Sequence, residues 1–139
     1  MNGKELPGEY LAFVERVLRE HPGRVNELER LDNIIEACCR PSSIGAAAGG
    51  SGNVSEQERL LAAKESNVEY QKLFRRVEIV QRAVESLTKE ERTIVEMFFW
   101  QGICIRQIAE EIHMAKNTAW RIKNRIVKKA SSFVIGTWI

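Results

Sequence analysis

Proline is scarce in this chain: Pro7, Pro22 and Pro41 are the only three among 139 residues. No segment alternates apolar and polar side chains as a half-buried strand does. Few helix breakers and no alternation leave an all-α protein. Cysteine is as scarce as proline. Cys38, Cys39 and Cys104 form no C-x-x-C pair and have no histidine at ligand spacing. A disulfide framework or zinc site is therefore not expected, and a reducing, cytoplasmic setting is. His21 and His113 are the only histidines, one beside a helix stop and one in a turn. No carboxylate cluster or nucleophile with a nearby base accompanies them, so neither enzyme chemistry nor a metal or other cofactor is expected. No apolar run is long enough to span a bilayer. No basic segment followed by an apolar core opens the chain, so neither a membrane partner nor a signal peptide is expected.

What is present is globular rather than disordered in composition, with 44% hydrophobic and 29% charged residues. Net charge is only +2, but its placement is uneven. Residues 1–87 hold 12 Lys/Arg against 14 Asp/Glu, net −2, and residues 88–139 hold 9 against 5, net +4. That asymmetry directs attention to the C-terminal end as a nucleic-acid partner surface.

Read in order, residues 1–6 are a loose start and Pro7 suits a first helical turn. Tyr10, Leu11, Phe13, Val14, Val17 and Leu18 form the stripe of a first helix, which His21, Pro22 and Gly23 should stop. A second helix is expected over 24–40, with Leu28, Leu31, Ile35 and Cys38 as a narrow seam. Residues 41–54, rich in Gly, Ser and Ala and free of charge, read as a flexible connection. Ser55 with Glu58 opens a long helix over 55–86. Its seam is Tyr70, Leu73, Val77, Val80, Val84 and Leu87. A helix of that length needs a partner, either the preceding helices folded back or the same helix of a second subunit, with a homodimer through 55–87 slightly preferred. Thr88 with Glu91 forms a second capping box. The helix that follows, with Ile94, Val95, Phe98 and Phe99 as its face, ends at Gln101 and Gly102. The expected organisation is a helical bundle over 1–87 and a three-helix unit over 88–139. The apolar tail around Phe133, Val134, Ile135, Trp138 and Ile139 should pack on that unit or on another subunit.

Residues 105–130 carry the functional signal. Ile105, Ile108, Ala109 and Ile112 line one short helix, and Ala119, Ile122 and Ile126 line a second, with His113, Met114 and Ala115 between them. This is a helix-turn-helix plan. Small Ala109 suits a close crossing, Met114 an apolar plug, and His113 a corner of positive φ, a region in which histidine is enriched among non-glycine residues. Between Lys116 and Lys129 the second helix carries six basic residues and no acid. Burying its apolar face turns Asn117, Thr118, Trp120, Arg121 and Asn124 outward, where such groups reach base edges in a major groove. Trp120 has a core position as its alternative. Lys116, Arg125, Lys128 and Arg106 are expected on phosphates.

The stretch 87–130, with LTKEER, the IAEEI helix and KNTAWRI, resembles region 4 of bacterial sigma factors. His113 and Ala115 depart from that pattern, which often has Gly and Ser there. The whole layout resembles phage transcriptional regulators of the ArpU and RinA type. That resemblance implies a sequence-specific regulator of transcription, a phage or prophage late-gene activator in a bacterial host cytoplasm. Its partners would be double-stranded DNA and, further, host RNA polymerase. A small terminase subunit recognising packaging-site DNA is the alternative.

Overall fold

The structure, a computed structural model, describes residues 8–39 and 55–138. The expected loose start, Pro7 as a first helical turn, the expected helix end at Arg40, the 41–54 connection and Ile139 lie outside the described residues. Helix α1 spans Gly8–Cys39, α2 Glu56–Ser66, α3 Val68–Glu85, α4 Lys89–Ile94, α5 Ile105–Glu111 and α6 Lys116–Val134. Helix α4 runs directly into a π-helical stretch, Val95–Trp100. The described residues contain no strand, and the fold is all-α.

Three boundaries differ from those the sequence suggests. The first is Pro22, which lies inside α1 rather than ending it. A proline in a helix lacks the N–H that would bond the carbonyl four residues back, here that of Leu18. The indole Nε1–H of Trp100 donates to this carbonyl instead, at 2.9 Å. The orphaned acceptor is satisfied from across the core, so the helix continues as one element. His21 is buried beside the same indole, with ring centroids 5.7 Å apart. Burial first, and then Arg24, lowers its pKa.

The second boundary is Asn67, which breaks the expected 55–86 helix in two. Its backbone is extended, at φ −87° and ψ 107°. Its side-chain oxygen accepts the Tyr70 N–H at 2.9 Å, as an N-cap asparagine does. The break lets α2 and α3 both reach Asp32 of α1: the Tyr70 hydroxyl donates to Asp32 at 2.9 Å, and Lys64 pairs with it at 2.8 Å. Helix α2 buries none of its residues. At its start Ser55 Oγ accepts the Glu58 N–H.

The third is the π-helical turn, which no periodicity in the sequence announced. Its Gln101 N–H bonds the Glu96 carbonyl, five residues back. Six residues including Phe98, Phe99 and Trp100 follow this wider path, which alters the rotation of Trp100 relative to an α-helical course. Gly102, at φ 75°, ends the element.

Helix α3 buries Tyr70, Val77, Val80 and Ala83, and Leu87 follows just beyond it. Leu73 and Val84 are half-buried. Helices α1 and α6 of the same chain cover this face, so the seam is filled without a second copy. On α1 the expected seam is only partly buried. Ile35 is inside, Leu28 and Leu31 are half-buried, and Cys38 is exposed.

One core cluster contains Val14, Val17 and Leu18 of α1, Val80 and Ala83 of α3, Ile94 of α4, Ile108 of α5 and Ile126 of α6. Apolar packing therefore runs across the expected 87/88 boundary, and the C-terminal helices are mounted on the N-terminal ones. The tail packs on α1 and α3 rather than on the C-terminal unit alone. Trp138 meets Phe13 edge-on at 6.2 Å, and the Arg24 and Arg76 guanidiniums lie 4.8 and 5.1 Å from its centroid.

Trp100→Phe removes the donor to a carbonyl on a residue only 1% exposed, and should cost about 1–3 kcal/mol. Pro22→Ala restores a helical N–H for the same acceptor. A double-mutant cycle by chemical denaturation should show Trp100→Phe costing clearly less in the Pro22→Ala background. Strict additivity would show that the indole bond is not what accommodates the proline.

Candidate nucleic-acid interface

The corner between α5 and α6 is built by backbone geometry. His113 has φ 58°, the only positive φ of a non-glycine among the described residues. The Met114 N–H bonds the Ala109 carbonyl at 2.9 Å, and the His113 N–H reaches the Glu110 carbonyl at 3.4 Å. This pair of bonds around a left-handed residue is the Schellman arrangement, which brings the residue after the corner onto the third residue from the helix end. Here those residues are Met114, half-buried against the core, and Ala109, 3% exposed. Ala119 is fully buried. The small residues on both helices allow the close crossing that the sequence predicts, and Met114 fills the corner.

Ala115 is the N-cap of α6, at φ −68° and ψ 145°, and gives no side-chain hydrogen bond. The conformation suits a serine cap, but the alanine leaves the first N–H groups of α6 without that partner.

Helix α6 buries Ala119, Ile122, Ile126, Val127, Ala130 and Val134. Asn117, Arg121, Asn124 and Lys128, at i, i+4, i+7 and i+11, form the line opposite that face. Asn117, Arg121 and Lys128 are exposed and Asn124 is half-buried. Thr118 and Trp120 flank the line and are exposed. Trp120, at 53%, is not a core tryptophan. Lys116 and Arg106 are exposed as well.

The six basic residues of α6 divide into two groups. Lys123 is buried, lies 3.4 Å from Glu15 of α1, and has its ammonium 5.6 Å from the Phe98 and Trp120 ring centroids. Arg125 Nε lies 2.8 Å from Glu91, and Lys129 Nζ lies 3.0 Å from both oxygens of the same carboxylate. These three cations fasten α6 to α1 and α4. Arg125, expected on a phosphate, thus has a structural partner in Glu91, although its side chain remains 54% exposed. Lys116, Arg121 and Lys128, with Arg106 on α5, have no acidic partner among the described residues. They are the charges available to a polyanion.

Glu91 was legible in the sequence only as a cap. It closes the Thr88 capping box in both directions, at 2.9 and 3.2 Å, and it is fully buried. Burial alone would raise its pKa. The Thr88 backbone N–H, then Lys129 and Arg125, outweigh burial and hold the carboxyl at about 2. A hint existed: a capping-box glutamate uses one oxygen on its own helix, and Arg125 and Lys129 at i, i+4 share a helix face.

A family model described as "Protein of unknown function (DUF722)" matches residues 23–132, most of the chain, and the chain belongs to that family. No curated protein and no solved structure matches it.

Two outcomes follow from this geometry. Because the folded pKa of Glu91 is depressed, its contribution of about 3 kcal/mol is complete above pH 4.5 and lost as pH falls toward 2. Glu91→Gln should therefore be markedly less stable than the parent at pH 7, and the gap should narrow between pH 4.5 and 2. A gap that stays constant with pH would mean that the carboxylate charge does not hold the helices. At the corner, Ala115→Ser should stabilise by about 0.5–1 kcal/mol. His113→Gly should be neutral or slightly stabilising, and His113→Val destabilising. Urea midpoints of the three variants check this ordering.

Proposed function

We propose that this DUF722 chain is a sequence-specific double-stranded DNA-binding protein that regulates transcription, with α6 as its reading helix. The observation that carries this reading is the outward line Asn117, Arg121, Asn124 and Lys128 on a helix without a single acid between Lys116 and Val134. From Asn117 to Asn124 that line is about 10 Å long at 1.5 Å per residue. A major groove about 12 Å wide accommodates it.

The chemistry of each position fits a distinct task. Arg121 offers a planar fork to the O6 and N7 of guanine. Asn117 or Asn124 offers the donor and acceptor pair that matches adenine. Trp120, exposed beside them, presents an apolar face to a thymine methyl or a sugar. Thr118 suits either a base edge or a backbone oxygen. Lys116, Lys128 and Arg106 hold phosphates, with Arg125 beside them through the part of its guanidinium that Glu91 leaves free.

The corner supports the reading independently. A left-handed residue between two close-packed helices sets their angle, and the second helix is then held by three ion pairs to the rest of the chain. Base recognition needs side chains fixed by such support. The resemblance to sigma region 4 and to phage regulators leads us to place the protein in phage or prophage gene control, with host RNA polymerase as a further partner.

Selection of bound sites from random duplexes supplies the target for the test. On that target Arg121→Ala should weaken binding by about 1–3 kcal/mol and relax specificity at one position. Lys128→Ala should weaken specific and random DNA alike and lower the salt slope by about one unit. Identical behaviour of the two variants on both kinds of DNA would refute α6 as the reading element.

A further inference from the structure

We propose that the groove between α3 and the turn after α6 is a second seat for the DNA backbone. The duplex would then extend along α6 past the major groove read by its N-terminal half. This inference rests on the DNA-binding reading above. The groove, about 560 Å³ in volume, is lined by Arg75, Glu78 and Arg82 of α3 and by Ser132 and Thr137 on the opposite side. Arg75 and Arg82 are seven residues apart and so share one face of α3, separated by about 10 Å along its axis. Both are exposed. Arg75 has no acidic partner among the described residues. Arg82 keeps Glu78 at 3.5 Å in a pair whose side chains are 67% and 45% exposed. An exposed pair of this kind is weak and exchanges readily for a phosphate.

Ser132 connects this groove to the reading helix. It lies four residues after Lys128 and eleven after Arg121, and so continues the same outward line. From Asn124 to Ser132 is about 12 Å along α6, comparable to the width of a major groove. The strand bordering the groove that Asn117–Asn124 read therefore passes near Lys128. Its following phosphates come within reach of the Arg75 and Arg82 guanidiniums, while the Ser132 and Thr137 hydroxyls opposite donate to the Lys129 and Phe133 carbonyls and only border the groove. Ile79 and Phe133 supply an apolar floor that suits the sugar face of a nucleotide chain. The continuity with an acid-free helix favours DNA over an acidic peptide, which would have no reason to align with α6.

The test uses the full chain, a random-sequence duplex of about 30 base pairs, and a salt titration read by fluorescence anisotropy. The double variant Arg75→Gln with Arg82→Gln keeps side-chain length and polarity at two exposed positions, and an unchanged melting temperature confirms that it folds. Its log Kd against log salt should be flatter than the parent's by about two units, at about 0.9 per phosphate. At low salt its affinity should fall at least tenfold, while the base preference set by Arg121, read on the selected site against the random duplex, is retained. An unchanged slope, with Arg121→Ala still damaging specificity, overturns the second seat and leaves the reading helix standing. Binding of a poly-glutamate peptide that the double variant loses, with its DNA slope unchanged, assigns the groove to an acidic protein instead. Absence of DNA binding by the parent chain overturns both readings.

Discussion

Glu91 carries a negative charge inside a helical protein, and three groups on two elements exist to hold it there. Its carboxylate accepts from its own helix at Thr88 and from Arg125 and Lys129 of α6. A buried carboxylate left alone would cost far more than a surface one, whereas one with a full set of donors becomes a fixed joint. The joint fastens the middle of α6 to the start of α4. Lys123 with Glu15 fastens the same helix to α1. Helix α6 is thus clamped from two sides, and its rotation follows from those contacts together with its apolar face.

The same contacts sort the positive charge. Between Lys116 and Lys129 α6 has six basic residues and no acid, which suggests a uniformly basic helix. In the fold Lys123 and Lys129 are turned to acids of other elements and Arg125 is partly so. Lys116, Arg121 and Lys128 remain available, Arg121 and Lys128 on the outward line and Lys116 exposed at the first position of α6. Net charge of the whole chain would not have indicated this, because acids on α1, α2 and α3 balance it.

A second exchange across the core joins α1 to the π-helical turn. Pro22 deprives Leu18 of its helical donor, and Trp100 provides another from the π-helical turn. The irregularity in one element answers the irregularity in the other. Through this bond and the shared apolar cluster, α1 becomes part of the support for α5 and α6. A unit of short helices alone would hold the corner less firmly, since helices of seven and six residues are marginal without packing.

The all-α class, the Thr88–Glu91 cap, the left-handed corner at His113 and the outward residues of α6 were all legible in the chain's local pattern. Each of these depends on neighbours within about one or two helical turns, so local periodicity and backbone preference suffice to specify it. That pattern misplaced the stop at Pro22 and the seam position of Cys38, missed the break at Asn67, and left the surroundings of Trp120 open, because each depends on groups far away in the chain. A proline ends a helix unless some distant group replaces its missing N–H, and that group stands 78 residues away at Trp100. Likewise, a lysine on a basic face is free or engaged according to which acid folds against it. The acids that decided Lys123, Arg125 and Lys129 are Glu15 and Glu91, beyond the reach of any pattern local to α6.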